Sequence, residues 1–553
     1  MAIAQRKRAA KTKYLSQHQL VLEGFETPFS QKLNSSNRWV VLAQQIPWDI
    51  LVGVYNDRLH NKQTGASGIN PRVVVGSMII KHMCNLSDRE TMLHIQENMY
   101  MQYFIGYSSY SNVPPFDASL FVELRNRLGA DQINKINEQI ILLTGMHGEQ
   151  RTEEVEVETI PTPSEPNNQV PAASQTNRPA TKDTPMPSEP TDLMECGDIQ
   201  TEGEVTSKTP TNEVAPYGKM ITDATACPQD IAYPTDLNLL NESREKAEEL
   251  IDILYLLSSV ESDKPRTYRI KARKDYLKTA QKKTKSNKEI RKALRKQLSY
   301  LGRNINIIHK FLDEHDRIPL NKHQLKYWFV IQTLYDQQME MYTNKVHSVA
   351  HRITNIHQPH VRPIVRGKTT AKVEFGAKIQ VSLMQGYAVL DEVSWESFNE
   401  GTRLMDSVEH YKKLFGYYPK EVFADKIYCT RSNRSQLKEK GIDLIAKPLG
   451  RPKAVPNHIS PGARNPIEGK FGQAKTAYGM NRIKARLKET SESWIATIIL
   501  VLNLVKLAGQ VPYFLYRTTS NWYSDCIHGL RLSISGYLTL IARLSNFSLV
   551  LTY

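Results

Sequence analysis

A chain of 553 residues with 72 lysines and arginines against 57 acids carries a formal charge of +15, which gives room for more than one domain and favours an acidic partner, nucleic acid being the commonest. Its five cysteines, Cys84, Cys196, Cys227, Cys429 and Cys526, form no close pair, so they outline neither a disulfide framework nor a zinc motif and suit a reducing compartment. The basic stretch 5–13 is followed by no apolar run, which argues against a secretory signal, and the best apolar run, 495–505, is too short for a bilayer and contains Asn503, so it reads as a buried helix.

Residues 20–148 read as mostly helical. Pro71 opens an apolar helix through Met83, and Asp88 starts a second that runs through Tyr100 to Phe104. Pro114 and Pro115 interrupt the pattern, and 118–128 resumes it as a short amphipathic helix. Short helices, tight turns and several arginines fit a helix-turn-helix reader of DNA; a dimerisation domain is the competing reading. Residues 149–216 differ sharply, with 14 acidic against 4 basic residues and 10 of the 28 prolines, too little apolar matter to bury a core. This stretch is expected to be a disordered acidic linker, which leaves the flanking regions more basic than the whole chain.

Residues 219–225 read as a short strand ending in Asp223, and 238–257 as a helix with Leu239, Leu240, Ala247, Leu250, Ile251 and Leu254 on one side. Between 264 and 296 lie 15 basic and 2 acidic residues, with Tyr268 and Tyr276 interleaved. Apolar spacing continues through Ile290, Leu294, Leu298 and Leu301, so this is expected to be a basic helical arm that meets phosphates, with Arg273 and Lys274 as candidate DNA-binding residues. The arm belongs to a helical insertion over about 238–356. A β-hairpin turning at Gly386 follows, then a helix over 396–415, a strand over 421–424 ending at Asp425, a helix over 432–440, and a strand over 442–446. The tail, 511–553, is apolar beyond about 523 and carries no readable role.

Pro466 opens the last helix of interest. Arg464 lies four residues before Glu468 and Lys475 seven after it, offsets that return to nearly one helical stripe. A carboxylate between cations suits a site that handles phosphodiesters, the acid holding a divalent ion and the bases holding phosphates. A plainer role is available: Asn465, Pro466 and Glu468 fit the cap, first and third positions of a helix, so Glu468 could close a capping box. The order of elements, a strand with Asp223, helical insertion, hairpin, helix, strand with Asp425, helix, strand and helix with Glu468, is the layout of a ribonuclease H-like α/β fold preceded by an all-α N-terminal domain. Asp223, Asp425 and Glu468 together suggest a three-carboxylate nuclease or strand-transfer site using Mg2+, with Mn2+ as the other candidate ion.

Four stretches give this layout a specific resemblance to the bacterial insertion-sequence DDE transposases that carry an N-terminal helical domain. They are 222–236 around Asp223, 358–368, 424–428 around Asp425, and 467–472 around Glu468 with Lys475, Tyr478, Gly479 and Arg482. The resemblance covers about 20–148 and 217–510. It implies that Asp223, Asp425 and Glu468 bind the catalytic ions, and by charge and position Arg464 and Lys475 bind DNA near the cleaved phosphate, with Lys470 and Arg482 as further DNA-binding candidates. One departure is Pro461, where related families have tyrosine, which touches an auxiliary contact and not the metal site. Asp230 and Asp236 are rival acids that follow the first strand, where a turn or capping role suits them better.

His347 and His351 have i, i+4 spacing but lack the intervening glutamate and third ligand of a zinc site, while His357 and His360 sit among Arg352, Arg362 and Arg366, suited to phosphate contact or packing. Cys227 and Cys429 lie near Asp223 and Asp425 in sequence, with nothing to suggest nucleophilic work. The expected activity is metal-dependent cleavage at insertion-sequence ends and strand transfer into target DNA, by a cytoplasmic, nucleoid-associated homo-oligomer with no membrane partner. A metal-dependent DNA nuclease without strand transfer, and a catalytically inactive DNA-binding regulator, are the alternatives.

Overall fold

The computed structural model describes residues 32–56, 68–149, 215–258, 263–314, 318–365, 373–447 and 462–509. The basic stretch 5–13, nearly all of the acidic linker, Arg366, Pro461 and the tail 511–553 lie outside the described residues.

Among the described residues six helices come first: α1 (Arg38–Gln45), α2 (Trp48–Asn56), α3 (Pro71–Met83), α4 (Asp88–Glu97), α5 (Met99–Phe104) and α6 (Leu120–Glu149). Local chemistry sets their starts. The Asn70 side chain accepts from the Arg72 N–H while Pro71 takes the first turn, and Ser87 with Glu90 closes a capping box. The single helix expected from Asp88 to Phe104 is two, because Asn98 leaves helical geometry and its side chain caps α5 through the Tyr100 and Met101 N–H groups. The short helix expected over 118–128 continues far beyond it, after a kink at Gly129, whose φ of 62° suits a residue without a side chain. Helix α3 is buried on all sides, Arg72 and Lys81 included. Arg72 donates to the Phe104 carbonyl, and Lys81 meets Asp88 at 2.8 Å, so neither charge is buried without a partner.

The sheet is built from β1 (Lys219–Pro228), β2 (Arg362–Val365), β3 (Val373–Met384), β4 (Tyr387–Ser394), β5 (Glu421–Phe423) and β6 (Asp443–Ile445). Its order is β2-β3-β1-β5-β6, with β4 also paired to β3. Strand β1 runs antiparallel to β3 and parallel to β5, and β5 runs parallel to β6. The hairpin between β3 and β4 turns at Gln385 and Gly386, both at positive φ. Strand β1 is longer than expected, so Asp223 sits within it opposite Val381 rather than at its end. Gly376 opposes Pro228 so closely that a methyl group there would overlap the Cys227 carbonyl oxygen.

Between β1 and β2 lie α7 (Asp236–Leu257), α8 (Arg269–Ala280), α9 (Asn287–Asp313) and α10 (Lys322–Asn344). They bury their own core, in which Leu240, Leu254, Leu301, Ile305, Trp328 and Ile331 meet. The basic stretch is therefore two helices, and part of its charge is spent on neighbours, as in Arg269 with Asp252 and Lys296 with Asp275. Among the described residues four more helices follow: α11 (Leu404–Phe415), α12 (Arg431–Glu439), α13 (Asn465–Thr476) and α14 (Lys488–Gly509). The helix expected from 396 begins only at Leu404, after a tight 3-10 turn at Glu400–Arg403 capped by Asn399.

Helix α14 spans 22 residues and is long and apolar enough to cross a membrane, which corrects the length read from 495–505; most of it is nevertheless buried inside the protein. It packs on α1, α3, β4 and α13, so the N-terminal helices and one face of the sheet share a single core. Asn503, the polar residue within its apolar run, accepts from the Ala388 N–H at 2.8 Å and donates to the Ala388 carbonyl and Asn137 Oδ1, both at 2.7 Å. A buried amide thus closes one edge position of β4 and ties it to α6.

Candidate active site

Three carboxylates from separate elements meet one guanidinium. Arg464, the residue that precedes α13, donates from Nη2 to Asp223 Oδ2 at 3.0 Å, and its Nη1 stands 3.0 Å from Asp425 Oδ1. Glu468 Oε1, one turn along α13, is 3.9 Å from Nη2. The parallel pairing of β1 with β5 brings Asp223 and Asp425 to the same side of the sheet's centre, and α13, packed on β1, carries Arg464 and Glu468 in.

The three acids differ in environment. The Asp223 side chain is 16% exposed, against 54% for Asp425 and 62% for Glu468. Burial pushes the Asp223 carboxyl above its ordinary value, against the pull of the Ala224 N–H and the Arg464 cation, and the nearby Glu400 pushes it further up. Asp425 accepts from the Lys426 N–H at 2.8 Å and so fixes the start of a 3-10 turn. Glu468 closes no capping box: α13 starts one residue earlier than that reading requires, with Arg464 at the cap position. Beneath Asp223, Thr222 accepts from Gln380, which in turn accepts from the Tyr428 hydroxyl, and burial raises the Tyr428 pKa. This chain holds β1, β3 and the residues after Asp425 in fixed relation.

Glu400 is a neighbour that sequence reasoning missed. It pairs with Lys378 at 2.9 Å and acts electrostatically on Asp223. It falls in the segment read as an ordinary helix, where nothing in the local pattern distinguishes it.

The cations expected to meet DNA do not gather at the acids. Lys475 is half-buried near the end of α13. Lys470 turns its amine to the Leu502 carbonyl on α14 at 3.4 Å, and burial lowers its pKa. Arg482 is exposed and pairs with Asp230 at 2.8 Å. Arg273 is exposed beside Glu245, and Lys274 is exposed on the same helix, α8. Asp236, in the first turn of α7, accepts from Arg352 and Gln338, a structural role. His347 and His351 share no helix face, since α10 ends at Asn344 and Lys345 turns left-handed. His360 packs edge-on against Trp395 with ring centroids 4.3 Å apart, and burial lowers its pKa to about 4. Cys227 and Cys429 are buried and form no disulfide.

Three carboxylates supply the hard oxygen donors that Mg2+ prefers. As arranged, Arg464 stands among them, and among the described residues no group of three or more acids, histidines or cysteines lies close enough to hold a metal ion. The donor chemistry suits a divalent ion, and Arg464 takes the place between the acids.

Residues 422–505 match the family of transposase DDE domains, a span that contains Asp425, Arg464 and Glu468. Residues 27–127, which include helices α1 to α5 and the start of α6, match a second family, a transposase domain (DUF772). An uncharacterized protein, ORF8 in the nfe locus of Rhizobium meliloti, is 30% identical over 134 residues, which cover 23% of this chain and 62% of that relative. The chain thus spans less than two thirds of that relative's length. No solved structure matches the chain.

Proposed function

Because the chain belongs to the DDE transposases of insertion sequences, we propose that it cuts DNA at the ends of its own element and joins the freed 3′-ends to target DNA. The observation that carries this reading is the convergence of Asp223, Asp425 and Glu468 on Arg464 from a strand, the turn after a second strand, and a helix. The strand order supports a ribonuclease H-like fold for the catalytic part, since a central strand lies antiparallel to a hairpin on one side and parallel to two strands on the other. The acidic stretch between 149 and 216 would then tether two functional regions, a DNA reader or dimerisation surface before it and the catalytic residues after it.

Asp223, Asp425 and Glu468 would hold Mg2+ or Mn2+, which supplies a polarised water or 3′-hydroxyl and neutralises charge on the leaving oxygen. The protein's own part is positional. Asp223 is the fixed wall, held by its buried strand and by the Ala224 N–H, while Asp425 and Glu468 are the more exposed partners, Asp425 held by the Lys426 N–H. Arg464 has donors suited to a phosphate as well as to a carboxylate, so it can leave the acids for the backbone at the cleavage point. Arg482 and Lys475 extend the basic surface along the same segment, and α8 adds Arg273 and Lys274. Two ends must be handled together, which calls for at least two protomers on DNA at the nucleoid.

The test incubates purified protein with DNA bearing the element's ends and Mg2+, beside a Glu468→Gln variant. Joined products from the wild type alone support the reading. Cleavage without joining points to a nuclease, and binding without either reaction points to a regulator; each of these outcomes refutes strand transfer.

A further inference from the structure

Helices α8 and α9 run antiparallel, with Tyr268 beside Arg303, Asp275 beside Lys296 and Lys282 beside Glu289. We propose that one flank of this hairpin holds the duplex of the element's own end by its phosphates, through Lys271, Lys274 and Lys278 of α8 and Lys292, Arg295 and Arg303 of α9. The proposal rests on the DNA reading above and assigns the contact of the basic arm to one flank of two helices.

Which cations share a flank follows from the side-chain pairing. Arg269, Arg273 and Tyr276 reach α7, at Asp252, Glu245 and Asn238. Lys271, Lys274 and Lys278, in steps of three and four, form a separate exposed row. On α9 the exposed residues Lys292, Arg295, Ser299 and Arg303 form another row in the same steps. Asp275 joins the two, because its carboxylate accepts from Lys296 Nζ at 2.8 Å and from the Tyr300 hydroxyl at 3.0 Å. Asp275 stands one helical turn from both Lys271 and Lys278, and Lys296 one turn from Lys292, so this pair sets both rows on the same side. Lys271 lies close enough to act on the Asp275 charge, and Arg303 packs over the Tyr300 ring at 5.0 Å.

The charge on this flank is left for a partner. Among the described residues none of the six cations makes an ion pair, whereas Asp275, the acid between them, is spent on Lys296. Like charges three or four residues apart repel by about 0.2–0.5 kcal/mol a pair, a cost that phosphates remove. A DNA duplex presents one negative charge per roughly 1.7 Å, and the row from Lys292 to Arg303 is about 16 Å long at the rise of a helix, so it meets several of them. The flank suits the backbone and not the bases, because its rings are occupied. Tyr268 carries Arg266 and Arg303 over its ring at 4.9 and 4.8 Å, and Tyr300 is buried against Asp275. Single strands call for free aromatic faces, so a duplex is the form that fits.

One duplex can serve both this flank and the acids. The Tyr276 hydroxyl donates to Asn238 Oδ1 at 3.2 Å, which holds the Lys278 end of α8 at the start of α7. Asn238 follows Asp223 by 15 residues, so the two are at most about 50 Å apart, or roughly 15 base pairs at 3.4 Å each. The end that is cut occupies the acids before any target does, so the duplex that runs on to α8 and α9 is the element's own.

The test measures binding of full-length protein to a duplex of the element's end, by fluorescence anisotropy, between roughly 50 and 200 mM salt. Lys278→Gln and Lys292→Gln, singly and together, remove one cation from each row. Lys264→Gln removes an exposed cation from the α7 side, where Lys264 pairs with Asp252 at 2.9 Å. All three side chains are exposed, so the fold stays intact. Each row substitution should lower the salt slope by about one and the two together by about two, while Lys264→Gln leaves it unchanged. An unchanged slope in either row variant, an equal loss in Lys264→Gln, or a single strand bound as tightly as the duplex overturns the proposal. If the slopes are unchanged while the wild type cleaves and joins DNA, only the flank assignment fails. If the slopes fall as expected while the wild type neither cleaves nor joins, the flank stands and the parent reading fails.

Discussion

Replacing Arg464 with methionine keeps an unbranched stem and removes the cation on which three carboxylates converge. The half-buried bond to Asp223, at 3.0 Å, is charge-assisted and contributes about 1.5–3 kcal/mol. The contacts with Asp425 and Glu468 involve carboxylates more than half exposed, so solvent screening leaves them at about 0–1 kcal/mol each. The variant should therefore lose about 2–3 kcal/mol in the presence of a chelator, since three acids then face one another without a counter-charge. Sign follows from ionisation. The Arg464–Asp223 attraction exists only for the carboxylate, so the gap between wild type and variant opens as pH rises through the carboxylate range and narrows on acidification. A divalent ion should restore what arginine supplied. At 10 mM Mg2+ and a dissociation constant of about 1 mM, binding adds about 1.4 kcal/mol to the variant, and less to wild type, where the ion must first displace Arg464. Urea unfolding of both proteins, with chelator and with Mg2+, measures all of this. Equal stability of the two in chelator, or equal stabilisation of both by Mg2+, would refute the idea that Arg464 stands where a metal ion can go.

His410 bonds to Asp391 and Glu138, and these bonds raise its pKa to about 9. Its contribution, about 2 kcal/mol after allowing for partial exposure, is fully present below about pH 6.5 and lost as pH rises through about 9, so His410→Gln should be less stable than wild type at pH 6 and equal to it at pH 10 in urea unfolding. A gap of the same size at both pH values would contradict this. Gly376→Ala places a methyl on the Cys227 carbonyl oxygen and should cost about 3 kcal/mol, seen as a fall in Tm; an unchanged Tm would mean that β1 and β3 can move apart. Asn503→Leu leaves the Ala388 N–H and the Asn137 Oδ1 without their side-chain partner, while Asn137 still donates to the Ala388 carbonyl, at a cost of about 2–4 kcal/mol, and a stability within 0.5 kcal/mol of wild type, by the scale of neutral surface changes, would show that water replaces the amide.

Helix starts were readable where a side chain and a proline announce them, as at Asn70 and Pro71, because capping is a matter of neighbouring residues. The hairpin at Gly386 was readable for the same reason. The ends of elements were harder. Asn98 interrupts two helices that a continuous apolar pattern joins, and α6 resumes beyond Gly129 because its buried residues, such as Ile133 and Ile140, find partners that no local window contains. At the candidate site, the i, i+4 relation of Arg464 and Glu468 was visible in the sequence. That Arg464 also reaches Asp223, 241 residues away, was not, because it depends on β1 lying beside β5. Glu400 stayed hidden because its influence on Asp223 acts through space, from a turn whose sequence looks like the start of a helix.

The shared core of α14 and the N-terminal helices has a consequence for how the protein is made. Lys81 lies against the ring of Trp494, and His82 packs edge-on to it, yet the ribosome makes that tryptophan about 400 residues later. At 5–20 residues per second, α3 waits roughly 20–80 s for its partner. Throughout that interval the newborn chain displays an apolar face that nothing yet covers, open to chaperones and proteases. A message broken or shifted in frame before the codons of α14 leaves that face bare for good. Cellular quality control would remove such products, so the abundance of this protein should track the supply of intact, fully translated messages more closely than the rate at which translation starts.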